Sequence, residues 1–199
     1  EAELTLCQER VAQLLFERVP SLAFVPKEAG VFVLEISGLA AVVGPLKAWA
    51  QSLLAEIQDK EGLWGRMVLG YEPMPARVLC PQARPVLMLS DPESEQAQLA
   101  EQPLSALGLS ARLQGQLAPL GLHSVGDFLA LGAQALGRRF GAEAEGLHRC
   151  LTAQARPQLT PWLPVEAPCV KRDLEPAVTR QDQLLFAVKR ELYGLFHPL

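Results

Sequence analysis

A chain of 199 residues, 49% of them hydrophobic, is long enough for one or two packed domains and is neither disordered nor fibrous. Its net charge is −4, and no part carries a basic surplus: residues 1–93 hold 8 basic and 12 acidic side chains, residues 94–160 hold 5 and 5, and residues 161–199 hold 5 and 5. Phosphate neutralisation supplies most nucleic-acid affinity, so this balance excludes a strong polyanion binder and leaves only weak, local or partner-assisted DNA binding. No apolar run approaches the roughly 20 residues of a membrane span. No basic segment precedes an apolar one as in a signal peptide, so a cytoplasmic location without membrane partners is expected. Because it opens on Glu1, the chain is expected to be a piece of a longer one. Cys7, Cys80, Cys150 and Cys169 form no C-x-x-C pair, and only His148 stands near one of them. Reduced, packed thiols are expected, with no metal and no cofactor.

In chain order, residues 4–19 have helical spacing, with Leu6, Val11, Leu14, Leu15 and Val19 near one face and Pro20 as the stop. Leu22–Val25 is a short strand, 27–30 a turn, and Val31–Ile36 a strand so rich in β-formers that it is expected at the centre of a sheet. Residues 45–58 form a helix, with Pro45 in its first turn, Leu46, Trp49, Leu53, Leu54 and Ile57 inward, and Gly62 as the break. Leu63–Leu69 is a further strand, and together these elements predict a β-α-β unit with Trp49 against the sheet. A short helix near 73–80 and a strand at Val86–Leu89 complete an α/β layer. Residues 91–102 are polar, a connector or a solvated helix. Residues 103–156 are helical, and the prolines at 157, 161, 164 and 168 predict an extended tether. A strand at Cys169–Leu174 and a helix at Gln181–Phe196 would open another domain.

The most informative stretch is Leu117–Leu129. Leu109, Leu113, Leu117 and Leu120 give one helix an apolar face, and Gly121 suits the left-handed position just past its end. Ser124 is placed to cap the next helix by accepting from the Asp127 amide. Val125, Phe128, Leu129 and Leu131 or Leu136 give that helix its own stripe. This is a helix-hairpin-helix pattern, a device for holding nucleic-acid backbone; the same spacing fits a plain αα-hairpin.

The order of these pieces resembles the Y-family translesion DNA polymerases: palm, thumb, linker, little finger. More closely it is similar to their inactive bacterial relatives, the inducible mutagenesis protein B family. Leu34-Glu35-Ile36-Ser37-Gly38 resembles that family's Leu-Asp-Val-Thr-Gly. Leu120-Gly121-Leu122-His123-Ser124-Val125-Gly126-Asp127-Phe128 resembles its Leu-Gly-Leu-x-Thr-Val-Gly-Asp-Leu. Arg138-Arg139-Phe140-Gly141 resembles its Arg-Arg-Phe-Gly, and Leu159-Thr160-Pro161-Trp162 its exit from the thumb. The resemblance implies an α+β fold: a partial palm over 1–92, a helix-hairpin-helix thumb over 93–156, a Pro-rich linker over 157–168, and the start of a little finger over 169–199. The first palm strand and the fingers would precede Glu1.

The resemblance also assigns positions. Active relatives carry an Asp-Glu pair where this chain has Gly30 and Val31, a degenerate metal site. Two-metal phosphoryl transfer needs clustered carboxylates, and the nearest acids, Glu28 and Glu35, lack the pair's spacing. Arg77 stands where those enzymes carry a lysine for nucleotide phosphates; without metal ligands it is expected to be a surface or structural cation. The thumb's Gly-Ile-Gly hairpin is Gly108-Leu109-Ser110 here, with one glycine lost. Gly108, Ser110, Arg112 and Arg138 are the expected DNA-backbone contacts. A solvated helix end fits Arg138 as well as a phosphate contact does, and fits Arg139 better. Gln181–Phe186 faintly resembles a clamp-docking peptide, but its leucines fit a helix stripe better. Trp49 and Trp64 fit core positions better than base-stacking platforms, and Trp162 either is exposed or pins the tether.

These readings imply no enzyme: a non-catalytic accessory in SOS-type mutagenic DNA synthesis, bridging DNA and an error-prone C-family polymerase, with a RecA-like protein and the sliding clamp as further partners. The alternatives are a divergent active translesion polymerase fragment and a protein-interaction module that never touches DNA.

Overall fold

Ser21–Phe24 (β1) and Phe32–Glu35 (β2) form an antiparallel hairpin in which Ala23 faces Val33 and Phe24 faces Phe32. The structure, a computed structural model, describes residues 2–25 and 28–164 and positions 185, 188 and 189. Glu1–Trp162 pack as one unit and Leu163–Leu199 as another. The expected strand at 169–174, the helix at 181–196 and its clamp-like peptide lie outside the described residues, save three helical positions.

Before the hairpin comes α1 (Ala2–Phe16), which buries Val11, Ala12, Leu14 and Leu15 but leaves Leu6 exposed, against expectation. After it come α2 (Ala40–Val43) and α3 (Leu46–Glu61). Ala50, Leu53, Leu54 and Ile57 form the buried face of α3, and Gly62, at φ 68°, ends it with its amide on the Gln58 carbonyl. Pro45 stands one place earlier than expected, at the N-cap. Two ion pairs tie α1 and the turn after it to α3: Arg10 Nε to Glu61 Oε2 and Arg18 Nη2 to Glu56 Oε1, each 2.8 Å.

Two sheet expectations fail. The strand β5 (Thr160–Pro161) pairs with β1 on the side away from β2, so the described order is β2-β1-β5 and β2 is an edge. Its apolar run reflects one inward face: Phe32, Leu34 and Ile36, at period two, meet the core of α1 and α3. The β-α-β unit also falls elsewhere. Strands β3 (Met67–Leu69) and β4 (Val86–Met88) are the parallel pair, and the connection between them is α4 (Pro73–Leu79) with a 3-10 turn at Cys80–Gln82. Helix α3 packs on both sheets, and Trp49 touches both cores, as expected for its inward position.

The polar stretch after β4 is α5 (Pro92–Ala100), capped by Asp91, whose carboxylate accepts from the Ser94 amide at 2.6 Å. It is not a solvated helix: Leu99 and Glu95 are buried. Glu95 Oε1 accepts from the Tyr71 amide at 2.9 Å and, less closely, from that of Glu72, so it serves the start of α4. Gly70 makes room for this carboxylate, which a Cβ there would strike.

The helical half consists of a 3-10 turn at Leu104–Leu107, then α6 (Ala111–Leu117), a 3-10 turn at Ala118–Leu120, α7 (Val125–Ala130), α8 (Ala133–Phe140) and α9 (Ala142–Leu151). Leu113, Leu117, Val125, Phe128, Leu136 and Leu151 fill its core together with Val78 of α4 and Leu99 of α5. The expected boundary at 92/93 therefore crosses one shared core. Buried His148 packs near Phe128, with Nε2 at 3.1 Å from the Leu129 carbonyl. Within the proline-rich stretch, 160–162 are docked: the Trp162 amide donates to Leu22, its indole Nε1 donates to Glu9 Oε2 at 2.9 Å, and its ring meets Phe16 edge-on at 5.3 Å. Trp162 pins the tether to the first sheet.

Candidate nucleic-acid interface

Both hairpins turn where the sequence marks them. Gly108 ends the Leu104–Leu107 turn at φ 61°, and Ser110 caps α6 by accepting from the Leu113 amide at 3.2 Å. Gly121 follows the Ala118–Leu120 turn at φ 68°. Ser124 then caps α7 through a reciprocal box: Ser124 Oγ accepts from the Asp127 amide at 3.1 Å, and Asp127 Oδ2 accepts from the amides of Ser124 and His123. These bonds hold the Asp127 carboxyl below its ordinary range. The hairpins are stitched to one another, since Leu104 N donates to His123 O and Val125 N to Gln102 O.

The donors that would meet a phosphate are engaged within the chain. The Gly108 amide serves Ser105. The Ser110 amide and hydroxyl both serve the Glu143 carboxylate, at 3.3 and 2.9 Å. The exposed cations are free for outside partners: Arg112 in the first turn of α6 and Arg138 in the last turn of α8 have no ion pair among the described residues. Arg139 instead lies over the Phe140 ring, 5.4 Å from its centre. The Ser110–Glu143 contact ties the start of α6, which carries Arg112, to the start of α9, just after Arg138.

In the α/β half, Gly30 sits in the β1–β2 turn at φ 77°, a left-handed conformation that strains an aspartate, and Val31 follows it with its amide on the Glu28 carbonyl. Both neighbouring acids have partners within the chain. Glu28 forms a two-pronged ion pair with Arg77, through Nε at 2.8 Å and through Nη2. Glu35 accepts from the Ser37 amide at 2.8 Å, and its hydrogen bonds to Ser37 lower its pKa. Arg77 is thus an internal cation, and its Nη2 also borders Gly108. Among the described residues no group of three His, Cys, Asp or Glu side chains could hold a metal ion. These positions do not fit a pair of metal ions. Cys7, Cys80 and Cys150 are free thiols, and no described helix is long and apolar enough to cross a membrane.

Trp64 corrects the sequence reading: it precedes β3 in a loop and is 84% exposed, not a core residue.

Comparison with solved structures defines the class of fold. The chain superimposes on DinB from Sulfolobus solfataricus with a TM-score of 0.61 over 78% of its length, at 18% identity. A ternary complex of Dbh gives 0.59 over 77%, again at 18% identity. The fold is that of Y-family DNA polymerases. In sequence the chain is ImuB-like: it is 32% identical over 111 residues, 55% of its length, to Protein ImuB of two Caulobacter vibrioides strains. It spans 21% of those relatives and 46% of the two solved chains. No family model matches it.

Proposed function

We propose that this chain is part of a non-catalytic, polymerase-like scaffold for mutagenic translesion synthesis. It holds DNA weakly through the thumb while an error-prone C-family polymerase copies the lesion, with a RecA-like accessory and the sliding clamp as further partners in the cytoplasm. The observation that carries the reading is the β1–β2 turn: a left-handed glycine and a valine fill the two positions that the motif resemblance would give to catalytic carboxylates, and the nearest acid is spent on Arg77. The similarity to Protein ImuB supports the same reading. Arg112 and Arg138 would contact phosphates; Gly108 and Ser110 would supply backbone approach only once Ser110 is released from Glu143. Primer extension by the full-length protein, with magnesium or manganese, tests it. No extension is expected, and templated extension that copurifies with the protein overturns it.

A specific observation favours the protein-module alternative. Glu143 and Asp127 already occupy the Ser110, His123 and Ser124 amides, leaving those hairpin donors nothing for phosphate. If primer–template anisotropy does not change with added protein even at low salt, that reading replaces the DNA scaffold.

A further inference from the structure

Two loops at the N-terminal ends of β3 and β4 enclose an open groove of about 610 Å³ lined by Trp64, Gly65, Arg66, Pro81, Arg84 and Pro85. The loops are fixed to one another. The Met67 amide donates to Pro85 O at 2.9 Å, Arg66 Nη1 donates to Pro81 O at 2.8 Å, and the Cys80 thiol donates to Arg66 O at 3.7 Å. Gly65 lies so close to Leu54 of α3 that a Cβ would come within 2.8 Å of Leu54 Cδ2, which holds the loop down just beside Trp64. The indole itself faces solvent. Neither Arg66 nor Arg84 pairs with a carboxylate among the described residues, and no acid lines the groove of this net-acidic chain.

An exposed indole costs free energy unless something covers it. The complement of a flat aromatic face flanked by two guanidinium groups, with no carboxylate nearby, is a planar ring joined to phosphate. A peptide would need an apolar pocket for its anchor side chains, and the groove offers two prolines and open charge. We propose that this groove is a binding site for single-stranded DNA, in which a base stacks on Trp64 and the adjoining phosphates meet Arg66 and Arg84. The site is separate from the thumb and does not depend on the thumb's function.

Titration of the full chain with a labelled oligodeoxythymidine, followed by anisotropy and by intrinsic tryptophan fluorescence, tests it. Trp49 and Trp162 are packed in the core, so binding at this groove should quench the Trp64 signal. Trp64→Ala should weaken the complex by roughly five- to a hundred-fold, as removal of one stacked base does. Trp64→Phe should retain binding but lose the quench, and Arg84→Glu should weaken binding most at low salt. Arg112→Glu in the thumb should lower duplex affinity while the oligodeoxythymidine still quenches Trp64. Absence of binding overturns the proposal, as does equal binding by the parent and Trp64→Ala proteins. Loss of single-strand binding in Arg112→Glu with Trp64→Ala unaffected also overturns it, by assigning the strand to the thumb.

Discussion

The Glu143 carboxylate holds both donors of Ser110, the backbone amide at 3.3 Å and the hydroxyl at 2.9 Å. A negative charge therefore sits at the start of α6, on the donors proposed to meet a phosphate. Glu143→Gln removes that charge while an amide oxygen can still accept from Ser110. Primer–template affinity is expected to rise at low salt and to converge with that of the parent at high salt, where screening removes the difference. Unchanged affinity would mean that DNA does not approach Ser110.

The local chemistry of these hairpins is legible in the sequence; the contacts that decide their use are not. Ser124, Asp127 and Gly121 act within a few residues of one another, so type and spacing identify the Ser124 cap and the left-handed turn, and the structure adds the reciprocal Asp127 bond. Ser110 meets Glu143 across 33 positions, and Arg77 meets Glu28 across 49; no spacing rule links them. The same holds for strands. Val31–Ile36 announces a strand, but β1 takes the centre of the described sheet because β5 arrives from position 160 on its far side. Trp64 reads as core because the sequence puts it inside a strand over Leu63–Leu69; the strand starts only at Met67, and the loop before it turns Trp64 outward.

Ser124→Ala removes the acceptor for the Asp127 amide and leaves half of the box. The expected cost is about 1 kcal/mol, typical of an N-cap serine, measurable as a lower urea midpoint with an unchanged slope. The Asp127 carboxyl, lowered by the amides of Ser124 and His123, adds stability above the ordinary carboxyl range that is lost as pH falls through its folded pKa. Asp127→Asn should flatten that acid limb, and an unaltered limb would mean that the box is not formed in solution.

Glu95 titrates in the opposite sense. Burial is the largest influence on it and raises its pKa, against the amides of Tyr71 and Glu72. A raised folded pKa means that its stabilising contribution is complete below the unfolded value and is lost as pH rises through the folded one. Parent stability relative to Glu95→Gln should therefore improve as pH falls from neutral into the carboxyl range. A difference that stays flat with pH would place the carboxyl in water.

Trp162 joins the tether to the first sheet by ring packing and an indole hydrogen bond to Glu9. Trp162→Ala removes the packing and the indole hydrogen bond, at an expected cost of ~3–5 kcal/mol. Trp162→Phe keeps a ring against Phe16 and loses the N–H donor, for about 1 kcal/mol. Equal urea midpoints for all three proteins would mean that β5 does not dock.

Arg112 and Arg138 are solvent-facing, carry no ion pair among the described residues and contribute little to packing, so their replacement should leave the urea midpoint where it is. Their effect should appear in the salt dependence of duplex binding. Removing one arginine–phosphate pairing lowers the slope of log K against log salt by about 0.9, so Arg112→Gln and Arg138→Gln should each reduce it by that amount and the double variant by both. Arg139 lies on Phe140 and is the internal control, because a cation held over its own neighbouring ring has less freedom to reach outward. If Arg139→Gln lowers the slope and Arg138→Gln does not, the phosphate pairing belongs to the other arginine and α8 meets DNA by a different face.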